Sequence, residues 1–138
     1  MKEKDKIKFF DTSALAQTPG IKERCTVRFL QPELEKRIAG ENFCVTGVRL
    51  FENGKYRNGL NAIGGLPPFC EVVIKNQTGK FHEIITVWVP LAWNDRFAGT
   101  GGGGTSTGGK QYIRRAENTV RGLTLPYALM NGFACATA

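Results

Sequence analysis

The sequence has few of the residues from which metal centres and nucleophilic catalytic groups are built. Its single histidine is His82, and its four cysteines form no CxxC pair. Zinc sites use clustered Cys and His at short spacings, so no metal site is predicted, and no cofactor either. The only serines are Ser13 and Ser106, no aspartate follows Asp95, and no G-x-S-x-G elbow occurs. Nucleophile, acid and base of a serine-dependent catalyst are therefore missing from this chain.

Long apolar runs are also absent. No segment approaches the ~18 residues that span a bilayer, and residues 1–10 lack the apolar core of a signal peptide. We therefore expect no membrane partner. Because the last residues, Phe133 to Ala138, read as a strand without a closing polar turn, we expect an incomplete gene product whose sheet ends on an unpaired edge.

Acidic residues are the minority, with 12 Asp and Glu against 19 Lys and Arg and a net charge of +7. The cations are spread along the chain, and the dense run from Lys2 to Lys8 is interleaved with acids. Such a run is typical of a solvated tail, so no nucleic acid partner is predicted. The length of 138 residues suits one domain. We predict a mobile N-terminus over 1–20 and one domain over 21–138.

Alternating apolar and polar residues, turn-forming residues and helix-capping residues divide the domain into short helices and strands. From Ile84 to Val89 both alternating sets are largely apolar, which is typical of a strand covered on both faces. The order strand, loop, helix, strand after residue 97 indicates a βαβ unit, so an α/β sheet is predicted. The predicted strands are 44–51, 69–75, 81–89, 97–100 and 133–137, and the predicted helices are 32–38, 113–120 and 125–130.

The densest glycine segment of the chain runs from Gly99 to Gly109, directly after a predicted strand. Its composition suits a flexible linker, and it matches a dinucleotide-binding pattern only trivially. It also spells G-x-x-x-x-G-K up to Lys110, although Gln111 stands where a phosphate loop needs Ser or Thr. A small phosphate- or nucleotide-binding module using Lys110 is therefore one hypothesis. The other is an oxyanion loop, whose backbone N–H groups bind developing negative charge.

Four segments resemble, in order, conserved elements of the tannase and feruloyl esterase family. They cover the chain from Leu66 to its end, whereas the first 65 residues show only a loose likeness. Leu66–Val72 is similar to the family's LPxFCRV element, Ile85–Pro90 to EVWLP, Trp93–Gly104 to WNGRF-x-G-x-G-N-G-G, and Leu129–Thr137 to GYAVAST.

The resemblance implies part of an α/β-hydrolase sheet from an enzyme that cleaves carboxylic esters of phenolic acids. The family's serine, acid, histidine and metal-binding lid would lie beyond Ala138, so this chain alone is expected to be inactive. It would supply the oxyanion hole through the N–H of Gly103, with Gly102 and Gly104 as alternatives. Gly102 replaces the family's asparagine. An inert truncated remnant is a further alternative.

The resemblance also implies a disulfide from Cys70 to an upstream cysteine, for which Cys25 is chosen and Cys44 is the alternative. Cys135 stands at a small position of a family strand and is expected to be a buried free thiol. Glu71 departs from the family's usual arginine. The family implies a secreted or periplasmic location, and the oligomeric state stays open.

Four other polar or aromatic residues near the glycine segment could be mistaken for site residues. Trp93 and Arg96 lie between two predicted strands and are expected to be scaffold. His82 lies upstream of the glycine loop, whereas a triad histidine comes last in the chain, so a structural role is expected. Ser106 has no base and is expected to be an ordinary loop hydroxyl.

Overall fold

A computed structural model describes residues 12–38, 42–58, 61–100 and 124–138 of the chain. The described part is mostly β structure: a five-stranded mixed sheet in the order β1-β4-β5-β7-β6 and a two-stranded sheet of β2 and β3. The strands are β1 (Phe43–Phe51), β2 (Lys55–Asn58), β3 (Asn61–Gly64), β4 (Phe69–Thr78), β5 (Phe81–Pro90), β6 (Phe97–Thr100) and β7 (Ala134–Thr137), and the helices are α1 (Ile21–Arg24), α2 (Val27–Arg37) and α3 (Leu125–Met130).

The predicted α/β class, and with it the partial α/β-hydrolase sheet, is wrong. β1 with β4, β4 with β5, and β5 with β7 all pair antiparallel, and β6 with β7 is the parallel pair among the described strands. The described helices are short: α1 and α2 precede the strands, and α3 lies between β6 and β7, whose parallel pairing confirms the predicted βαβ order at that point. β5 is apolar on both faces because each face has its own cover, and that cover does not require a parallel sheet.

One face of the sheet carries an aromatic core. Trp88, Phe69 and Tyr56 are at most 1% exposed, and the Phe69 and Trp88 rings lie 4.6 Å apart. Burial of such a side chain contributes about 2 kcal/mol. The hairpin β2–β3 and helix α3 cover this face, since Tyr56 and Ile63 come from the hairpin and Leu125 and Leu129 from the helix.

The opposite face is covered by α2, which begins earlier than the predicted 32–38. Thr26 caps it, because its hydroxyl accepts a hydrogen bond from the N–H of Phe29 at 3.2 Å. Pro32 therefore lies inside the helix and does not start it. The predicted start at residue 32 follows from the preference of proline for the first turn of a helix, whereas the cap at Thr26 begins the helix about one and a half turns earlier.

The C-terminal helix and strand were predicted almost as observed. Thr124 caps α3 by accepting from the N–H of Tyr127, and β7 follows after Gly132. The predicted unpaired edge at 133–137 is wrong, because β7 lies between β5 and β6 and pairs with both. The end strands of the five-stranded sheet are β1 and β6.

Candidate functional site

The candidate site is the carboxyl end of β6, where the chain enters the glycine run. β6 ends at Thr100, directly before Gly101, and runs parallel to β7 with Thr100 opposite Thr137. The Thr100 hydroxyl donates a hydrogen bond to the carbonyl of Ala136 at 3.3 Å. The strand end is thereby held in the sheet. The predicted loop residues lie outside the described residues: Gly101, Gly102, Gly103, Gly104, Ser106, Lys110 and the predicted helix 113–120.

Asn94 connects the loop before β6 to the turn before β7. Its amide donates to the carbonyl of Asn131 at 2.8 Å, and its side-chain oxygen accepts from the N–H of Arg96 at 3.0 Å. Its own N–H donates to the carbonyl of Gly132 at 2.9 Å. Two of these hydrogen bonds join the loop to the turn before β7 and the third holds Arg96, so Asn94 sets where β6 begins relative to β7, and so where the glycine run leaves the sheet.

Trp93 and Arg96 make the contacts of a scaffold in the same loop. The indole N–H of Trp93 donates to the carbonyl of Arg96 at 2.8 Å, and that carbonyl also accepts from the N–H of Ala134. Between them, Asp95 has a φ of 65°, a left-handed conformation that Asp tolerates better than most residues. The loop is therefore a tight turn closed by hydrogen bonds between the side chains of Trp93 and Asn94 and the backbone of Arg96.

The segment before α1 reaches this turn. Thr18 donates its N–H to the carbonyl of Leu91 at 2.6 Å, and its hydroxyl accepts from the N–H of Trp93 at 3.1 Å. These contacts lie at the end of the segment 1–20 that the sequence predicts to be mobile, of which residues 1–11 lie outside the described residues. The β5–β6 turn is thus bonded on both sides, to Thr18 and to the turn before β7.

We expect Gly132→Ala to lower the free energy of unfolding by about 1–3 kcal/mol, because Gly132 has a φ of 81° that L side chains rarely adopt. An added Cβ would lie 3.0 Å from Leu15 Cδ1 and 3.3 Å from Asn94 Cβ. Urea denaturation measures the change. Gly47→Ala is the matched control, since open space surrounds its Cβ position, and we expect a change within about 0.5 kcal/mol. Equal effects for both variants would contradict the strain at Gly132.

The cysteine predictions are confirmed. Cys25 and Cys70 form a disulfide, and Cys44 and Cys135 are free. The bond closes a separation of 45 residues, which contributes about 4 kcal/mol in the chain-entropy model. Cys135 is fully buried, and burial raises the pKa of its thiol far above the ordinary value, although a backbone hydrogen bond at Trp88 opposes the shift. Such a thiol is inert at neutral pH.

A buried carboxylate, that of Glu71, was not predicted from the sequence. Glu71 is 2% exposed, and one of its oxygens accepts from Arg49 Nη2 at 2.6 Å and Nε at 3.2 Å. The other accepts from the indole N–H of Trp88 at 2.9 Å. Partial burial opposes the charge on Arg49, but the hydrogen bond and charge of Glu71 outweigh it and raise the pKa of Arg49. The sequence feature that could have predicted this burial is a single acidic residue within the otherwise apolar run 69–74.

The other candidate groups, namely His82, possible metal ligands and a surface depression, do not form a site at the end of β6. His82 is exposed on β5, opposite Gln77. No three His, Cys, Asp or Glu side chains are grouped to hold a metal ion within the ranges that the structure describes. A shallow depression beside β1 and β4, lined by Cys44 and Lys75 among others, lies toward the sheet edge opposite β6. Among the described residues, no helix has both the length and the apolar character needed to cross a membrane.

Comparison with known proteins finds no matching family model, no matching curated protein and no matching solved structure. The likeness to the tannase and feruloyl esterase family thus depends on the four segments themselves.

Proposed function

We propose that this chain is the N-terminal part of a tannase- or feruloyl-esterase-like serine hydrolase of phenolic acid esters, and that its role is to supply the oxyanion loop. The observation that carries the proposal is the position of the glycine run. It leaves a strand end that the parallel partner β7 and the side chain of Asn94 hold in place. Backbone N–H groups act as oxyanion donors only when they are held in position before the reaction.

The spatial arrangement of the four family-like segments supports the same function. Leu66–Val72 leads into β4, Ile85–Pro90 lies in β5, the third segment contains β6, and the fourth contains β7. These strands are neighbours in one sheet, in the order β4-β5-β7-β6. Segments far apart in sequence therefore lie side by side around the strand that precedes the glycines.

The disulfide supports a secreted or periplasmic location for the intact hydrolase. Disulfides persist in oxidising compartments and are rare in reducing ones, so the Cys25–Cys70 bond is consistent with an extracellular protein. Export would also bring such an enzyme to phenolic esters outside the cell. The serine, acid and histidine come from the part of the hydrolase that follows Ala138.

Sequencing the DNA after codon 138 and assaying both products tests this function. We expect an in-frame continuation with an Asp-x-Gly element and a later Cys-Ser element. The extended protein should hydrolyse methyl ferulate or methyl gallate, and the 138-residue chain should not, because it lacks a nucleophile and base. A stop after codon 138 together with nucleotide binding that Lys110→Ala abolishes would instead favour the phosphate-binding module.

A further inference from the structure

Helices α1 and α2 cover apolar surface without being buried themselves. Neither helix contains a buried residue, whereas Val45, Cys70 and Val72 beneath them are 3–7% exposed. From the helix pair, only the partly buried Leu30 and Leu34 of α2 and Cys25 at the end of α1 pack against this cluster. Hydrophobic contact therefore holds the helix pair weakly, although the sheet needs the cover.

α2 also closes the edge of the sheet at β1. The side-chain oxygen of Gln31 accepts from the N–H of Val45 at 2.7 Å, and its amide nitrogen donates to the carbonyl of Phe43 at 3.3 Å. β1 is an end strand, so these groups lie on the side away from β4. Backbone N–H and C=O groups at a sheet edge become a template for another strand when they are left unpaired. Gln31 thus occupies the position that an incoming strand would take.

Besides the hydrogen bonds of Thr18 just before α1, two links tie the other end of the helix pair to the sheet. Lys22 and Glu52 form an ion pair at 2.6 Å, but both side chains are about half exposed, and exposed pairs contribute little. The second link is the disulfide between Cys25, at the end of α1, and the buried Cys70 of β4. The covalent bond is therefore the main restraint where apolar packing is weakest.

We propose that the Cys25–Cys70 disulfide is a redox latch whose reduction releases α1 and α2 and exposes the edge of β1, while the rest of the sheet stays folded. The reductant is a dithiol, such as a protein with two active cysteines. Its thiolate attacks the partly exposed Cys25 sulfur, and Cys70 leaves as a thiolate that takes up a proton. The second thiol then displaces Cys25, so the reductant becomes a disulfide and the chain gains two thiols.

The sheet persists after release because its larger core does not include the helix pair. The cluster of Trp88, Phe69, Tyr56 and Leu129 lies on the opposite face and contains no residue of α1 or α2. Val45 and Val72, in contrast, lose their cover. Release is therefore a local opening of the kind that precedes global unfolding.

Hydrogen exchange measured by mass spectrometry tests the latch, with Cys44→Ser as background because Cys44 is a free, exposed thiol. The protein is compared before and after full reduction by dithiothreitol. We expect the helical amides of 30–37, apart from Pro32, which has none, and the amide of Val45 to exchange at least about 30-fold faster, which corresponds to the lower end of typical disulfide stabilisation. Amides of Val87, Trp88 and Cys135 should keep their protection.

Cys25→Ala in the same background should reproduce the faster exchange without reductant, and Lys22→Ala, which removes only the exposed ion pair, should not. Two outcomes would overturn the latch. In one, the α2 amides stay equally protected although the mass shows complete reduction. In the other, all amides accelerate together, which would mean that the disulfide holds the whole fold and not the helix pair.

Discussion

In a hydrolase that contains this chain, we expect Gly103→Val to lower the turnover number for phenolic esters by about 10²- to 10³-fold, the usual cost of losing one oxyanion donor. A β-branched side chain restricts the backbone and prevents close approach of the substrate carbonyl. KM should change less than turnover, because the donor acts mainly on the charge that develops in the transition state. Steady-state kinetics with methyl ferulate or methyl gallate measure both parameters.

Two further variants and one control show which donor acts. Gly102→Val and Gly104→Val test the alternative N–H groups, and whichever change costs the most turnover identifies the donor. Gly47→Ala, in β1 and far from β6, should leave turnover unchanged. The thermal midpoint of each variant separates loss of the donor from loss of folding. Unchanged turnover in all three loop variants, with folding intact, would exclude these glycines from the oxyanion hole.

Arg49→Leu is expected to lower the free energy of unfolding by about 3 kcal/mol at pH 7, because it leaves the carboxylate of Glu71 buried without its ionic partner. Glu71 is 2% exposed and keeps only the Trp88 indole as a donor. The value lies at the lower end of the range for buried pairs, since the Arg49 side chain is 46% exposed and water can reach the vacated site. Urea denaturation followed by tryptophan fluorescence measures the loss.

The double variant Arg49→Leu with Glu71→Gln should recover a large part of that loss. It removes the buried charge, and the amide oxygen of Gln can still accept from Trp88. Arg57→Leu is the matched control, because Arg57 is also exposed, on β2 of the smaller sheet, while the hydrogen bonds of Glu71 come from Arg49 and Trp88; we expect at most about 0.5 kcal/mol. Additive losses in the double variant would show that the pair contributes no coupling.

The elements that sequence reasoning located best are those with a local cause. β6 was predicted as 97–100 and α3 as 125–130, because an apolar run ends in glycines in one case and Thr124 caps a helix in the other. The Cys25–Cys70 disulfide was implied by family resemblance, not by spacing. The start of α2 also has a local cause, the cap at Thr26, which competes in the sequence with the helix-starting preference of Pro32.

Most of the strand pairing was beyond the reach of the same reasoning; the exception is the parallel pair β6 and β7, which the predicted βαβ unit anticipated. Apolar residues on both faces of 84–89 are compatible with parallel or antiparallel neighbours, and the choice depends on partners that lie up to some 50 residues away, as with Trp88 opposite Cys135. The position of β7 between β5 and β6 likewise reverses the expectation of an open edge at the C-terminal strand. Neither fact has a signature within a short window.

The sequence by itself determined the short elements and the turn glycines, because these depend on residue type and near neighbours. The tertiary structure decided the mixed sheet, the burial of Glu71 between Arg49 and Trp88, and the clamp of Asn94 on the turn before β7. Those contacts join residues 17 to 37 positions apart. Their stability comes from exclusion of water and from completed hydrogen bonds, which exist only once the chain has folded.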